Sequence, residues 1–252
     1  MESFYEKERE ENKKTILNRN SDHTFPPHFH LNLEVFLVLR GEYVLTVGGE
    51  EYILTDGTIA VVDSYEVHAY RRIREVERTD TGVVILPYLF LERFNGKRGG
   101  KQFAERVRKD EALCRKLLVF ADEYLGKEQS EEVLGVATEL FLALLSEGVT
   151  FVERKERGEE ALVRKILLYI QAHYREEGSR GVLAKELGYT EAHISRVFHR
   201  YIGKGIAEYI NELRLDYIRQ RRKAGDKRTE LALLYEAGFN SQQTYYRVKK
   251  KQ

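Results

Sequence analysis

The hydrophobic pattern of this chain changes its period part of the way along, and that change limits the folds available to it. Up to about Leu91, β-branched and aromatic residues stand in short runs separated by turn signals such as Gly48-Gly49 and Asp56-Gly57, a pattern typical of a β-barrel or sandwich. After Ala161 the apolar residues recur at helical spacing. We therefore predict a multidomain α and β protein, with a β-barrel at the N-terminus and an all-α domain at the C-terminus.

The segment between these two parts has a mainly helical pattern. Phe103 to Leu125 and Val133 to Leu145 both carry apolar residues at mostly helical spacing. We therefore predict a barrel over 1–100, a helical segment over 101–150, a linker over 151–160 and a helical domain over 161–252. The helices of 101–150 have more apolar surface than a barrel edge obviously requires. They either pack on the barrel or, at Val133 to Leu145, also form a dimer seam.

Charge is divided unevenly between the two parts of the chain. Residues 1–160 hold 31 Asp and Glu against 23 Lys and Arg, whereas residues 161–252 hold 19 Lys and Arg against 10 Asp and Glu. A basic domain joined to an acidic one is typical of a polyanion-binding module attached to a sensor. Uneven solvated surface charge is the alternative interpretation.

Residues 181–203, GVLAKELGYTEAHISRVFHRYIG, have the pattern of a helix-turn-helix. Gly188 can end the first helix in the left-handed conformation, and Thr190 can cap the second by accepting a backbone hydrogen bond. The second helix is apolar on one face and polar, partly basic, on the other. A recognition helix needs that polar face to reach base edges and phosphates, although a plain helical hairpin would show the same pattern. The residues predicted to contact DNA are Thr190, Glu191, His193, Arg196, His199 and Arg200.

A second copy of this pattern follows about 50 residues later, in residues 230–251. Leu233, Leu234 and Ala237 form an apolar stripe, and Gly238 can end the helix that carries it. Two such reading helices on one chain could enter successive major grooves of a duplex. The residues predicted to contact DNA in this unit are Ser241, Gln242, Gln243, Tyr246, Arg247 and Lys250.

In these two units the chain resembles the AraC family of bacterial transcription regulators. The resemblance rests on LGYTEAHISRVFHRYIGKGIAEYINELRL in residues 187–215 and on EAGFNSQQTYYRV in residues 236–248. It implies DNA-reading helices that begin at Thr190 and at Ser241, and a cupin-like sensor barrel, often dimeric, at the N-terminus. The function that it implies is sequence-specific transcription regulation in response to a small-molecule effector. The implied partners are double-stranded DNA, that effector and a second copy of the chain.

The chain departs from the family pattern at several positions expected to face the interior. The family usually has an alanine where Leu234 stands, and apolar residues at five positions where this chain is charged. An unpaired charge in the interior is costly, so we expect the second unit to be distorted, weak or packed in an unusual way. The charged positions are Arg180, Arg221, Arg222, Glu230 and Lys249.

The predicted barrel carries a cluster of possible ligands. His28-x-His30-x-x-x-Glu34 and the later His68 resemble cupin motifs. On a regular strand, side chains at positions 28, 30 and 34 would all point into the barrel. Three imidazoles and a carboxylate would suit a divalent metal such as Mn, Fe, Ni or Zn. Within the AraC family such histidines often line an effector pocket that holds no ion. We expect that second arrangement, without a cofactor, in a pocket that comprises His28, His30, Glu34, Tyr43 and His68.

Catalytic motifs are missing from the sequence. It has no Walker-type or dinucleotide-binding phosphate loop and no Gly-x-Ser-x-Gly elbow, so we expect a protein that is not an enzyme. The alternatives are a metal-dependent cupin enzyme and a ligand-binding protein, each with a helical assembly tail. The single cysteine, Cys114, excludes an internal disulfide and fits a reducing compartment. The charged first residues lack a signal-peptide core, and no apolar stretch reaches membrane-spanning length. We therefore expect a cytoplasmic location and no membrane contact.

Overall fold

The computed structural model describes residues 4–5, 15–19, 23–73, 79–147, 149–153, 158–176, 179–223 and 225–250. The chain divides into two compact units, Met1–Glu156 and Arg157–Gln252. The first combines strands and helices and the second is helical, which confirms the predicted fold class. None of the helices in the described ranges is both long and apolar enough to cross a membrane.

Two five-stranded sheets form the cupin-like part of the first unit. The first sheet has the order β1-β3-β8-β5-β6, and the second has the order β11-β7-β4-β9-β2. A short third sheet pairs β10 with β12. The strands are β1 Phe4–Tyr5, β2 Ile16–Arg19, β3 Phe25–Phe29, β4 Leu33–Arg40, β5 Tyr43–Val47, β6 Glu50–Leu54, β7 Thr58–Val62, β8 His68–Arg72, β9 Asp80–Leu86, β10 Gln102–Phe103, β11 Val107–Lys109 and β12 Phe151–Val152.

Strand β4 explains how the layers are arranged, because it is buried on both faces. Side chains alternate along a strand, so Leu33, Val35 and Leu37 pack on the helices of this unit. Phe36 and Val38 point the other way, into a core shared by both sheets.

The predicted turn at Gly48-Gly49 is confirmed: φ is +58° and +84° at these two glycines, as a two-residue type I′ hairpin between β5 and β6 requires.

Three helices, a 3-10 turn and a π turn follow the strands in the described residues of the first unit. A 3-10 turn over Tyr88–Phe90 precedes α1, Glu92–Arg98. Helix α2, Glu111–Phe120, continues into a wider π turn over Ala121–Leu125, and α3 spans Glu131–Leu145. Leu117 of α2 and Phe141 and Leu142 of α3 are buried against the second sheet. This packing accounts for much of the apolar surface that the sequence placed on these helices.

The predicted helix over Phe103 to Leu125 is wrong in its first part. Phe103 lies in β10, and Val107 lies in β11, where it pairs with Ala60 of β7. The second sheet therefore continues past the predicted barrel end at residue 100. The same short run of apolar residues can belong to a strand or to a helix, and here hydrogen bonding to the edge of the sheet favoured the strand. Asp110 marks the true start of α2, because its carboxylate accepts a hydrogen bond from the Leu113 backbone N–H.

Six helices are seen in the described part of the second unit. They are α4 Gly158–His173, α5 Ser179–Leu187, α6 Glu191–Ile202, α7 Ile206–Lys223, α8 Glu230–Glu236 and α9 Gln242–Lys249. Helices α5 and α6 form the first helix-turn-helix, and α8 and α9 form the second. The turns contain the two predicted left-handed glycines, Gly188 with φ +71° and Gly238 with φ +93°.

The expectation that charged residues face the interior of the second unit is wrong. Arg221, Arg222 and Lys249 are exposed, and Glu230 is partly exposed and paired with Lys249 at 2.6 Å. The charges therefore remain hydrated or paired, which avoids the cost of burying them alone. Leu234 is buried and packs with Leu215 and Ile218 of α7. The side chain of Arg180 lies outside the described residues.

Candidate functional site

Four of the predicted pocket residues come together in the first unit. His28 lies on β3, His30 follows that strand, Glu34 lies on β4 and His68 begins β8. One ligand atom from each lies within 4.8 Å of the others, and all four residues are buried. The chain is not one regular strand across positions 28 to 34, since β3 ends at Phe29 and a bend separates it from β4. Strands from both five-stranded sheets bring these ligands together instead.

The three imidazole rings are each anchored through Nδ1. Nδ1 of His28 lies 2.9 Å from the Pro26 carbonyl, that of His30 lies 3.1 Å from the Asn32 carbonyl, and that of His68 lies 2.9 Å from the Glu66 carbonyl. Because a carbonyl only accepts, each Nδ1 carries the proton. The Nε2 atoms are thereby left for the cluster. Such backbone anchors fix the tautomer and orientation of metal-binding histidines.

The electrostatics of the cluster favour a neutral His28 beside an anionic Glu34. Burial, with a smaller effect of His68, lowers the pKa of His28 to about 3. Burial alone would raise the pKa of Glu34, but its contacts with His30 and His68 hold that pKa well below the usual range. Nε2 of His30 lies 3.1 Å from one Glu34 oxygen, and Nε2 of His68 lies 3.8 Å from the other.

This donor set fits a divalent metal ion. Nε2 of His68 is buried and has no hydrogen-bond partner, although buried polar atoms are nearly always paired. Three imidazole nitrogens and one carboxylate oxygen suit Zn, Mn, Fe or Ni. The residues present could therefore hold such an ion, with each ring already turned towards the shared centre.

Tyr43, the fifth predicted pocket residue, lies apart from this cluster. Its ring contacts Phe36, with centroids 5.0 Å apart. Phe36 contacts Tyr70 at 5.0 Å, and Tyr70 contacts His68 at 5.6 Å. Two aromatic rings thus separate Tyr43 from the nearest histidine of the cluster.

The predicted DNA-contacting residues lie at the start and along the outer face of α6 and α9. Thr190 and Ser241 cap these helices, since their hydroxyl oxygens accept from the backbone N–H of His193 and Thr244. Their side chains therefore position the helices. The remaining predicted residues are exposed, except for His193, which is partly exposed; they are Glu191, Arg196, His199, Arg200, Gln242, Gln243, Tyr246, Arg247 and Lys250.

The basic residues of these two helices differ in whether they already pair with another residue of the protein. Arg200 is paired with Glu159 of α4 at 2.5 Å, so part of its charge is already neutralised. Arg196, Arg247 and Lys250 make no hydrogen bond or ion pair within the described ranges. Sequence reasoning did not select Tyr189, which is exposed and stacks on His193 with ring centroids 5.2 Å apart. The sequence feature that could have identified Tyr189 is its position next to the Thr190 cap, in the turn between the two helices.

Comparisons with known proteins match both units. Residues 20–77 match the family described as a cupin domain, and residues 183–252 match the family described as a helix-turn-helix domain. An uncharacterized HTH-type transcriptional regulator, YbfI, of Bacillus subtilis (strain 168) is 22% identical over 228 residues, which cover 86% of this chain and 80% of that protein. An uncharacterized HTH-type transcriptional regulator of Staphylococcus aureus (strain MSSA476) is 25% identical over 116 residues, or 44% of this chain; the alignment spans 15% of that protein.

Two solved structures cover most of the chain at low similarity. ToxT from Vibrio cholerae O395 is 15% identical, with a TM-score of 0.43, and the alignment covers 94% of this chain and 92% of that one. The AraC-like transcriptional activator CuxR is 16% identical, with a TM-score of 0.44, and the alignment covers 89% of this chain and 78% of that one.

Proposed function

We propose that this chain is a transcription regulator of the AraC type, which reads a specific duplex DNA sequence with α6 and α9. The observation that carries the proposal is the pair of capped helices that each turn a polar, partly basic face outward. The basic excess of residues 161–252 supports it, because phosphate contacts supply much of the affinity for DNA.

Side-chain chemistry suggests how the two helices divide the work. Arg196 and Arg247 are exposed and can each pair bidentately with guanine, whereas Gln242 and Gln243 can pair with adenine. Lys250 has the flexible point charge suited to a phosphate. The other predicted contacts are secondary in this proposal, since Thr190 and Ser241 act as caps, Arg200 is paired, and Glu191, His193, His199 and Tyr246 lie beside the readers.

The sensor domain, in our proposal, binds a divalent metal ion through His28, His30, Glu34 and His68. The three anchored rings, the anionic carboxylate and the unpartnered Nε2 of His68 support an ion over simple effector hydrogen bonds. When bound, the ion supplies a Lewis-acidic centre at which a small oxygen-bearing effector could coordinate. Binding changes DNA affinity to the extent that the ion prefers one state of the protein over another.

A metal-dependent cupin enzyme is the second candidate function, because the same four ligands would serve it. The two functions differ in what must follow metal binding. A regulator shows a change in sequence-specific DNA affinity, whereas an enzyme shows turnover that does not depend on the helical unit. The DNA target of a regulator also places it, in this proposal, in the cytoplasm with the chromosome.

We also propose that the protein is a homodimer joined through α3. Val133, Val136 and Leu140 lie on one face of this helix at three- and four-residue spacing and are 43%, 71% and 49% exposed. Such a stripe is typical of a helix–helix seam. Val136→Glu should shift the protein towards monomer in sedimentation velocity, whereas Lys116→Glu on α2 should not. A monomeric wild type at micromolar concentration would contradict the proposal.

The metal site is tested by titrating chelator-stripped protein with Zn²⁺ and Mn²⁺ in a calorimeter. We expect one ion per chain, and we expect His68→Ala to weaken binding by more than about tenfold. His173→Ala is the matched control, because His173 is a partly exposed histidine on α4 that pairs with Glu176. Equal metal affinity in wild type and His68→Ala would rule out this site.

A further inference from the structure

A groove in the first unit, outside the metal cluster, lies between α1 and α3. It has a volume of about 160 Å³ and is mainly apolar, with Phe94, Leu142 and Phe151 among its lining residues. The rings of Phe94 and Phe151 meet nearly edge to face, with centroids 6.1 Å apart. A buried cavity of about 150 Å³ holds one benzene molecule. The groove therefore has room for a single aromatic ring.

The polar residues of the groove leave one positive charge uncompensated. Arg93 pairs with Glu139 at 2.8 Å, and both line the groove. Arg98 pairs with Asp63 through both Nη atoms, at 2.7 and 2.8 Å. Lys97 is exposed at the groove and makes no ion pair within the described ranges. A ligand that carries one negative charge would complement this surface.

We propose that this groove binds a small aromatic monocarboxylate, as a second ligand site distinct from the metal cluster. The ring lies among Phe94, Leu142 and Phe151, and the carboxylate pairs with Lys97. The single charge matches the single uncompensated lysine, and the apolar space between α1 and α3 accommodates one ring.

The test is calorimetric titration of the full-length protein with benzoate and with benzamide, which has nearly the same shape but no charge. Benzoate should bind one per chain, and benzamide should bind at least about tenfold more weakly. Lys97→Ala should weaken benzoate binding by about tenfold, whereas Lys116→Ala, an exposed lysine on α2, should leave it unchanged.

A blocking variant shows whether the ligand lies in the groove. Ala143 is exposed on α3 and lines the groove, so Ala143→Leu should fill the space and abolish benzoate binding. Ala112→Leu, at an exposed alanine on α2, is the matched control. If Ala143→Leu lowers the melting temperature, Lys97→Glu replaces it, because it reverses the charge without filling the groove.

The outcomes separate this site from the proposed function. Absence of benzoate binding, equal binding of benzamide, or full binding by Ala143→Leu and Lys97→Glu would each overturn the groove proposal. None of these results would affect metal binding by the His28 cluster or DNA binding by α6 and α9, which are measured separately.

Discussion

Gly238→Ala should destabilise the helical unit far more than the same change at Gly188. Both glycines have a positive φ, +93° and +71°, in the turn of a helix-turn-helix. The left-handed conformation costs a non-glycine residue about 1–2 kcal/mol. At Gly188 an added Cβ meets nothing within 4 Å. At Gly238 it would overlap the carbonyl oxygen of Arg175 and lie 2.8 Å from that residue's C and Cα atoms.

The backbone at Arg175 cannot easily move away. Arg214 donates from Nε to the Tyr174 carbonyl at 2.6 Å and from Nη2 to the Glu176 carbonyl at 3.0 Å, on either side of that residue. Forcing an extra methyl group into such packing costs about 1–3 kcal/mol more. The total for Gly238→Ala is thus about 2–5 kcal/mol, a large part of the roughly 5–15 kcal/mol that stabilises a typical protein.

Thermal unfolding followed by circular dichroism at the helical band measures this difference. For a domain of this size, 1 kcal/mol lowers the melting temperature by about 4–8 °C. Gly238→Ala should therefore melt at least about 4–8 °C below Gly188→Ala, and Gly188→Ala should melt below wild type. Equal melting temperatures for the two variants would refute the argument that the contact with Arg175, and not only the positive φ, requires glycine.

Two further predictions concern the first unit. Burial raises the pKa of the Cys114 thiol to about 12, so the thiol stays protonated below about pH 11. A thiol reagent such as DTNB should therefore label Cys114 only after the protein is unfolded in urea. Rapid labelling of the folded protein at pH 8 would contradict this prediction. Arg98→Lys should lower Zn²⁺ affinity by about tenfold or more, because Arg98 holds Asp63 in the loop whose Tyr65 N–H donates to the His30 carbonyl. Arg93→Lys, on the same helix, should leave the affinity unchanged. Similar Zn²⁺ affinities for the two variants would contradict the supporting role of this loop.

Local sequence signals predicted much of this structure, because they act over a few residues. The turn at Gly48-Gly49 and the caps at Thr190 and Ser241 each depend on one or two side chains, and all three are present. The cluster of His28, His30, Glu34 and His68 also forms, although strands from two sheets build it and not one regular strand.

What the sequence could not predict depends on contacts between distant residues. Val107 became a strand residue because β7 offered an unpaired edge. The spacing of apolar residues along the sequence does not indicate where such an edge lies. Lys249 stays at the surface because Glu230, 19 residues away, pairs with it. The groove beside Lys97 exists only because α1 and α3 meet, and no motif marks either wall.

The central claim is that a metal-binding sensor accompanies sequence-specific DNA reading. The most direct test selects binding sequences from a randomised duplex library and then measures DNA affinity by fluorescence anisotropy, with and without Zn²⁺ or Mn²⁺. We predict enrichment of one motif, affinity that falls steeply with salt, loss of the base preference in Arg196→Ala, and a change in affinity of about fivefold or more on adding metal that His68→Ala abolishes. Failure to enrich any motif, or a DNA affinity that does not change with metal, would contradict the account.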